Sequence, residues 1–257
     1  MIKGALIDLD GVIYNDSQPI PGADAAVSWL DQNSIPYRFI TNTTMKSRAS
    51  LSKKLSTMGV RASVEKIFSA AFAGAEYLRK QERNSCRCLI DGDAVTEYAG
   101  MISDSEEVDY VVAGDPGENV TLEILNQAFR CLLNGAELIA LQKNRFWLSD
   151  RGYSLDAGAF AAMLEFAANK KAKLIGKPSK DFFMLAVENL GLNASQIVMI
   201  GDDLESDIFG AGRIGIKTCL VKTGKFLEKD LTDSAVKPDW ILPSIAELPA
   251  AGIFSNK

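Results

Sequence analysis

The sequence predicts an α/β fold whose core is an open, parallel, Rossmann-like doubly wound sheet. Three observations carry this. Short apolar runs alternate with stretches whose apolar residues recur at helical spacing. The first run, Ile2–Leu9, is nearly continuous, as a strand buried on both faces requires. Three of the runs end in polar residues of one kind, and parallel sheets of this class gather ligands beyond the carboxyl ends of their strands.

The elements follow in chain order. After strand Ile2–Leu9 comes the breaker Pro21-Gly22, then the helical stripe Ala23, Ala26, Val27 and Leu30. Tyr37–Ile40 is a short strand. Leu51, Leu55 and Met58 mark a helix that Gly59 stops. A strand at Ile67–Ser69 leads into a helix through Tyr77 and Leu78. Cys86–Ile90, Val108–Ala113 and Leu138–Gln142 read as strands. Leu122, Leu125, Phe129 and Leu132 form a stripe closed by Asn134-Gly135, and Phe160, Met163, Leu164 and Ala167 form another. The chain then returns to strand-helix units: strand Lys173–Ile175, the stripe Phe183, Ala186, Val187 and Leu190, and strands Ile197–Ile200, Thr218–Val221 and Trp240–Leu242. No internal repeat or low-complexity linker interrupts them.

Composition narrows the function. The chain has 257 residues, 47% of them hydrophobic and 24% charged, which suits a globular protein. A net charge of −5 argues against a nucleic-acid partner, which calls for a basic patch. No apolar stretch reaches the roughly 18 residues of a membrane helix, and no secretory signal is visible. The expectation is a cytoplasmic protein with no membrane partner. The four cysteines, Cys86, Cys88, Cys131 and Cys219, suit a reducing compartment, and Cys86 and Cys88, on a strand-like run, read as small buried hydrophobes. Histidine is absent. That removes a Ser-His-Asp triad, a His-ligated zinc and a phosphohistidine intermediate. Proton transfer must use other groups, and attention turns to the carboxylates.

Strand Ile2–Leu9 runs into Asp8-Leu9-Asp10-Gly11, strand Tyr37–Ile40 into Thr41-Asn42-Thr43, and strand Ile197–Ile200 into Gly201-Asp202-Asp203. If these strands are neighbours, their acids converge on one spot. Several carboxylates cannot stay ionised together without a counterion. All-oxygen ligands suit a hard cation, and magnesium fits best. Magnesium at this edge points to a phosphorylated substrate. One carboxylate could attack phosphorus, and a second acid could protonate the leaving oxygen. Thr and Asn could hold phosphoryl oxygens. Lys177, at the turn Ile175-Gly176-Lys177-Pro178, could neutralise transition-state charge. Each residue also has a plainer reading. Thr41 and Asn42 could cap the following helix, Asp202 and Asp203 could cap the next, and Lys177 could be a solvated lysine.

The full set resembles the haloacid dehalogenase-like hydrolases. Asp8-Leu9-Asp10-Gly11-Val12 is similar to their first motif, Thr41-Asn42 to the second, Gly176-Lys177-Pro178 to the third, and Gly201-Asp202-Asp203 with Asp207 to the fourth. The resemblance implies Asp8 as nucleophile and Asp10 as general acid and base. It implies phosphate binding by Thr41, Asn42 and Lys177. It places magnesium on Asp8, the Asp10 backbone carbonyl and Asp202, with Asp203 and Asp207 acting through water. For Asp207, helix capping stays open. The long gap between Asn42 and Lys177 resembles the subclass with a large inserted cap of the C2 type. The expected division is a catalytic core of residues 1–78 and 177–257 and an α/β cap of residues 79–176. Some members of that subclass carry Ser where this chain has Asp10.

The expected activity is magnesium-dependent hydrolysis of a small phosphorylated substrate through an aspartyl phosphate. The substrate would be a phosphomonoester, or alternatively pyrophosphate or a phosphoramidate. A phosphomutase on the same fold and a non-enzymatic aspartyl-phosphate switch are the rivals. A receiver-type switch is shorter and has no cap. Asn144 and Arg145, with Asp156 as a weaker choice, are the cap residues expected to meet the leaving group, and Arg145 suits a second anion. A homodimer formed through the cap is the competing use of that surface.

Overall fold

The computed structural model of the chain describes residues 1–118, 120–149, 152–233 and 236–254. In chain order the strands are β1 (Gly4–Asp8), β2 (Tyr14–Asn15), β3 (Gln18–Pro19), β4 (Tyr37–Thr41), β5 (Ile67–Ser69), β6 (Cys86–Leu89), β7 (Tyr110–Ala113), β8 (Glu137–Ala140), β9 (Phe146–Ser149), β10 (Gly152–Leu155), β11 (Lys173–Leu174), β12 (Ile197–Gly201), β13 (Lys217–Val221) and β14 (Trp240–Leu242). The helices are α1 (Ala23–Gln32), α2 (Arg48–Thr57), α3 (Ala70–Arg79), α4 (Leu122–Leu133), α5 (Ala157–Ala168), α6 (Lys180–Leu190), the short α7 (Gly210–Gly212) and α8 (Glu228–Asp233). They fall into two compact units. The first comprises Met1–Thr41, Leu51–Phe68 and Lys177–Lys257; the second comprises Asn42–Ser50 and Ser69–Gly176.

The first unit is built on a parallel six-stranded sheet in the order β14-β13-β12-β1-β4-β5. Every residue of β1 and of β12 is buried, which accounts for their unbroken apolar sequence. Helix α1 buries Ala23, Ala26, Val27 and Leu30, the stripe expected from its spacing. Helix α6 starts at Ser179, whose side chain accepts from Phe182 N, and stops at Gly191, whose φ of 74° is open to glycine at little cost.

The second unit has its own parallel sheet, in the order β11-β8-β7-β6. Helices α4 and α5 pack on it through Ala128, Cys131, Leu132, Ala161 and Leu164. Helix α3, placed before the expected boundary at residue 78, lies in this unit, where Gly74 lets Tyr98 and Leu141 approach its backbone. An antiparallel hairpin, β9 with β10, follows the short segment 141–145. Asn144 and Arg145 therefore lead straight into the strand that begins at Phe146.

Helix α5 departs from its expected stripe. Of Phe160, Met163, Leu164 and Ala167 only Leu164 is buried, and the buried face is Ala157, Gly158, Ala161 and Leu164. Apart from Glu165 the helix is apolar all round, so spacing alone cannot choose a face. The small residues win because they allow close approach. The four cysteines are free thiols, three of them buried.

Candidate active site

Parallel pairing brings the strand ends level. Ile7 stands opposite Ile200 and Asp8 opposite Ile40, so Asp8, Thr41 and Asp202 leave the sheet side by side. Thr41 is buried at the end of β4. It does not cap α2; Ser47 Oγ does that, accepting from Ser50 N at 3.2 Å. Asn42 follows Thr41 in the chain and belongs to the second unit, where its Oδ1 lies 2.8 Å from the place a Gly176 Cβ would occupy.

Lys177 opens the return of the chain to the first unit and is only 5% exposed. Its ammonium lies 2.8 Å from Asp8 Oδ1 and 2.7 Å from Asp207 Oδ1. Burial would discharge it, but Asp207 and Asp8 outweigh that and hold the proton firmly. Lys177 is thus a buried, doubly paired cation and not a surface lysine.

Asp207 sits on a turn of π-helix, Leu204–Phe209, where Ile208 N donates to Asp203 O at 3.2 Å. The wide turn is capped by Asp203, whose Oδ1 accepts from Glu205 N and Ser206 N at 3.0 and 2.9 Å. Capping therefore falls to Asp203. Asp207, fully buried, points to Lys177 and accepts from Asp203 N at 3.3 Å. A side chain at Gly201 would collide with the Asp207 carboxylate, which explains a glycine at the end of β12.

Asp202 is held from the opposite side. Lys225 N donates to its Oδ2 at 2.6 Å, and Thr223 Oγ1 donates to Gly11 O at 2.5 Å. Gly11 and Gly224, with φ of 83° and 65°, both approach Asp202 too closely for a Cβ. The segment 222–225 is therefore part of the site, although the motifs did not assign it a role.

Asp8, Asp202 and Asp207 present oxygens within 4.8 Å of one another. Three carboxylates face one ammonium. Burial, then Asp8, pushes Asp202 up to about 6. Burial, then the neighbouring acids, pushes Asp207 well up, although Lys177 opposes this. The set is all hard oxygen and short of positive charge, so its chemistry fits magnesium.

Asp10 shows part of its surface to solvent, but its carboxyl is pushed up, by burial first and Asp8 second. Buried Tyr14 forms a backbone bridge back to it, and Lys54 Nζ lies 3.6 Å from the Tyr14 ring centroid. Neither residue belongs to a motif, and neither was anticipated from the sequence.

In the second unit, Asn144, Arg145 and Asp156 share one corner. Asn144 and Arg145 are exposed, and Asp156 N donates to Arg145 O at 3.2 Å. Arg145 lies over the Phe146 ring at 5.9 Å. Asp156 is buried as the N-cap of α5, accepting from Ala157 N at 2.7 Å and from Gln142 Nε2.

Comparison with known proteins agrees with this geometry. The family model "Haloacid dehalogenase-like hydrolase" matches residues 5–101, and a second, HAD-hydrolase-like, matches residues 174–248. The mouse haloacid dehalogenase-like hydrolase domain-containing protein 2 is 37% identical over 229 residues, covering 89% of this chain and 87% of the relative. The human phospholysine phosphohistidine inorganic pyrophosphate phosphatase is 34% identical over 252 residues, 96% of this chain and 92% of its own. Among solved structures, the p-nitrophenyl phosphatase from Archaeoglobus fulgidus superposes with a TM-score of 0.90 at 26% identity, over 97% of this chain and 99% of that one. Fold and site define a hydrolase of the phosphatase kind. The chain belongs to the haloacid dehalogenase-like hydrolases.

Proposed function

We propose that the chain is a magnesium-dependent phosphatase that hydrolyses a small phosphorylated substrate through an aspartyl phosphate on Asp8. The observation that supports this best is the pairing of Lys177 with Asp8 and Asp207 beside Asp202, with Asp8 and Asp202 at the ends of neighbouring parallel strands.

The residues divide the work. The Asp8 carboxylate attacks phosphorus while Asp10 gives its proton to the leaving oxygen, so the phosphorus–oxygen bond breaks without releasing a strong base. Asp10, now a carboxylate, takes a proton from water, which attacks the aspartyl phosphate and frees phosphate and Asp8. Lys177 balances charge on the phosphoryl oxygens, and Thr41 and Asn42 orient them. Asp8, the Asp10 carbonyl and Asp202 would hold the metal, with Asp203 and Asp207 acting through water. Magnesium, when bound, draws charge from the phosphoryl oxygens and lets several acids remain ionised together. Residues 79–176 would serve as a cap domain to a core of 1–78 and 177–257, with Asn144, Arg145 and Asp156 as its candidate leaving-group contacts. No described helix is long and apolar enough to cross a membrane.

The test is phosphate release from an aryl phosphate, with magnesium, with excess chelator, and with calcium. Activity should vanish on chelation, return with magnesium, and be inhibited by calcium, whose looser shell misplaces the nucleophile. Full activity after exhaustive chelation contradicts the reading. A panel of phosphomonoesters, pyrophosphate and phosphoramidates, run on the parent and on Arg145→Ala, then defines the substrate class. Loss confined to substrates with a second anion supports Arg145 as its partner, and equal profiles refute it.

A further inference from the structure

The loop after β13 is fixed at its root and grips two segments of the acid site. Val221 pairs with Leu242, and Lys222 N donates to Leu242 O at 2.9 Å. Phe226 N donates to Thr223 O at 3.4 Å and folds the loop into a turn. From this base Thr223 Oγ1 donates to Gly11 O at 2.5 Å, while Lys225 N donates to Asp202 Oδ2 at 2.6 Å. Gly224 lies between the two: a Cβ there would stand 2.2 Å from Asp202 Oδ2 and 2.4 Å from Gly11 Cα. Gly11 is also held at its other end, since its N–H donates to Tyr14 O at 2.8 Å. That N–H shares a peptide plane with the Asp10 carbonyl. The peptide is trans, so the two point in opposite directions and the Asp10 carbonyl is aimed away from Tyr14 O.

From this geometry we infer that Thr223 is a positioning residue for the cation site, fixing the Asp10 carbonyl relative to the Asp202 carboxylate. This rests on the cation site proposed above. Gly11 joins two peptide planes. Tyr14 O holds the first through the Gly11 N–H, and Thr223 Oγ1 holds the second through the Gly11 carbonyl. With both planes held, a glycine at φ 83° keeps one conformation out of the many open to it. On the other side Lys225 N occupies Oδ2 of Asp202, which leaves Oδ1 for a cation. One short loop therefore sets two ligands that leave the sheet from different strands. Magnesium demands near-octahedral geometry and tolerates little misplacement of its ligands. Ligands held in place before the ion arrives lose less freedom on binding it, and the group that holds them contributes to affinity without touching the ion.

The readout is magnesium affinity by isothermal titration calorimetry, without substrate, for the parent, Thr223→Val, Thr223→Ser and Asp202→Asn. Valine keeps the shape of threonine and removes the hydroxyl; serine keeps the hydroxyl. Thr223→Val should bind magnesium about 10–100-fold more weakly, the usual loss when a group that orients a metal ligand is removed. Thr223→Ser should bind as the parent does. Parent affinity in Thr223→Val, even with a lowered thermal midpoint of the metal-free protein, overturns the inference and leaves the hydroxyl a structural contact. Equal weakening in the valine and serine variants overturns it too, since the hydroxyl is then not the cause. Parent affinity in Asp202→Asn, or no binding by the parent, would instead overturn the cation site itself, so the two failures are distinct. A misfolded fraction lowers the number of ions bound per chain and leaves the affinity of the folded remainder unchanged, so it cannot mimic the expected loss.

Discussion

Lys177 is central to the site, because its ammonium is buried between Asp8 and Asp207, beside Asp202. Removing it leaves Asp8 and Asp207 without their shared partner in a place where water cannot replace it. Breaking such a buried pair costs about 3–5 kcal/mol. Lys177→Ala should therefore lose both turnover and stability, seen as a lower urea midpoint at unchanged slope together with loss of phosphate release. An inactive variant of parent stability would reduce Lys177 to a catalytic role alone. Asp8→Asn should abolish turnover, since an amide is neither nucleophile nor good metal ligand, and Asp10→Asn should cost about 10²–10⁴-fold. Near-parent turnover by either variant removes that residue from the mechanism. Asp8, Asp202 and Lys177 were legible in the sequence because each lies at a strand end or strand-helix turn that apolar runs reveal. Lys54 was not, because it reaches the Tyr14 ring, forty residues away by number, only through tertiary packing.

At the scale of elements, the site depends on close approach of backbones. Segment 222–225 fits against Gly11 and Asp202 only because Gly11 and Gly224 have no side chains. Gly224→Ala would combine a strained φ with a collision at Asp202. It should lower the thermal midpoint and weaken magnesium binding together, measured by scanning fluorimetry and by the magnesium dependence of phosphate release. Parent values for both would mean the segment yields freely. This coupling is hard to read beforehand, since Lys222-Thr223-Gly224-Lys225 looks like an ordinary polar loop. The same limit acts in α5. Its almost wholly apolar sequence hid the buried face, and the hairpin of β9 and β10 leaves no burial pattern to read, since Phe146, Trp147, Tyr153 and Leu155 are all exposed. By contrast β1, β12 and α1 were clear because burial on both faces, or on one, leaves a period in the sequence.

For the whole molecule, the acid cluster links folding, pH and metal. The carboxyl of Asp202 is raised from its ordinary 3.8 to about 6, so the metal-free folded chain binds that proton more tightly than the unfolded chain does. This contribution to stability is full below about pH 4 and is lost as pH rises through about 6. Magnesium should substitute for the proton above that window. Its addition should therefore raise the unfolding temperature more near pH 7.5 than near pH 5, and an equal shift at both would contradict the linkage.

The central claim is that the phosphoryl group passes through Asp8. It is tested most directly by trapping the intermediate. Asp10→Asn, given magnesium and an aryl phosphate, releases the phenol by its own leaving tendency but lacks the base that activates water, so the aspartyl phosphate should accumulate. Quenching with acid and reducing with borohydride converts an aspartyl phosphate to homoserine. Peptide mass spectrometry should then find homoserine at position 8, and none there when Asp8→Asn is added. Reduction at another residue, or an unreduced Asp8 in enzyme that has released phenol, would contradict the account.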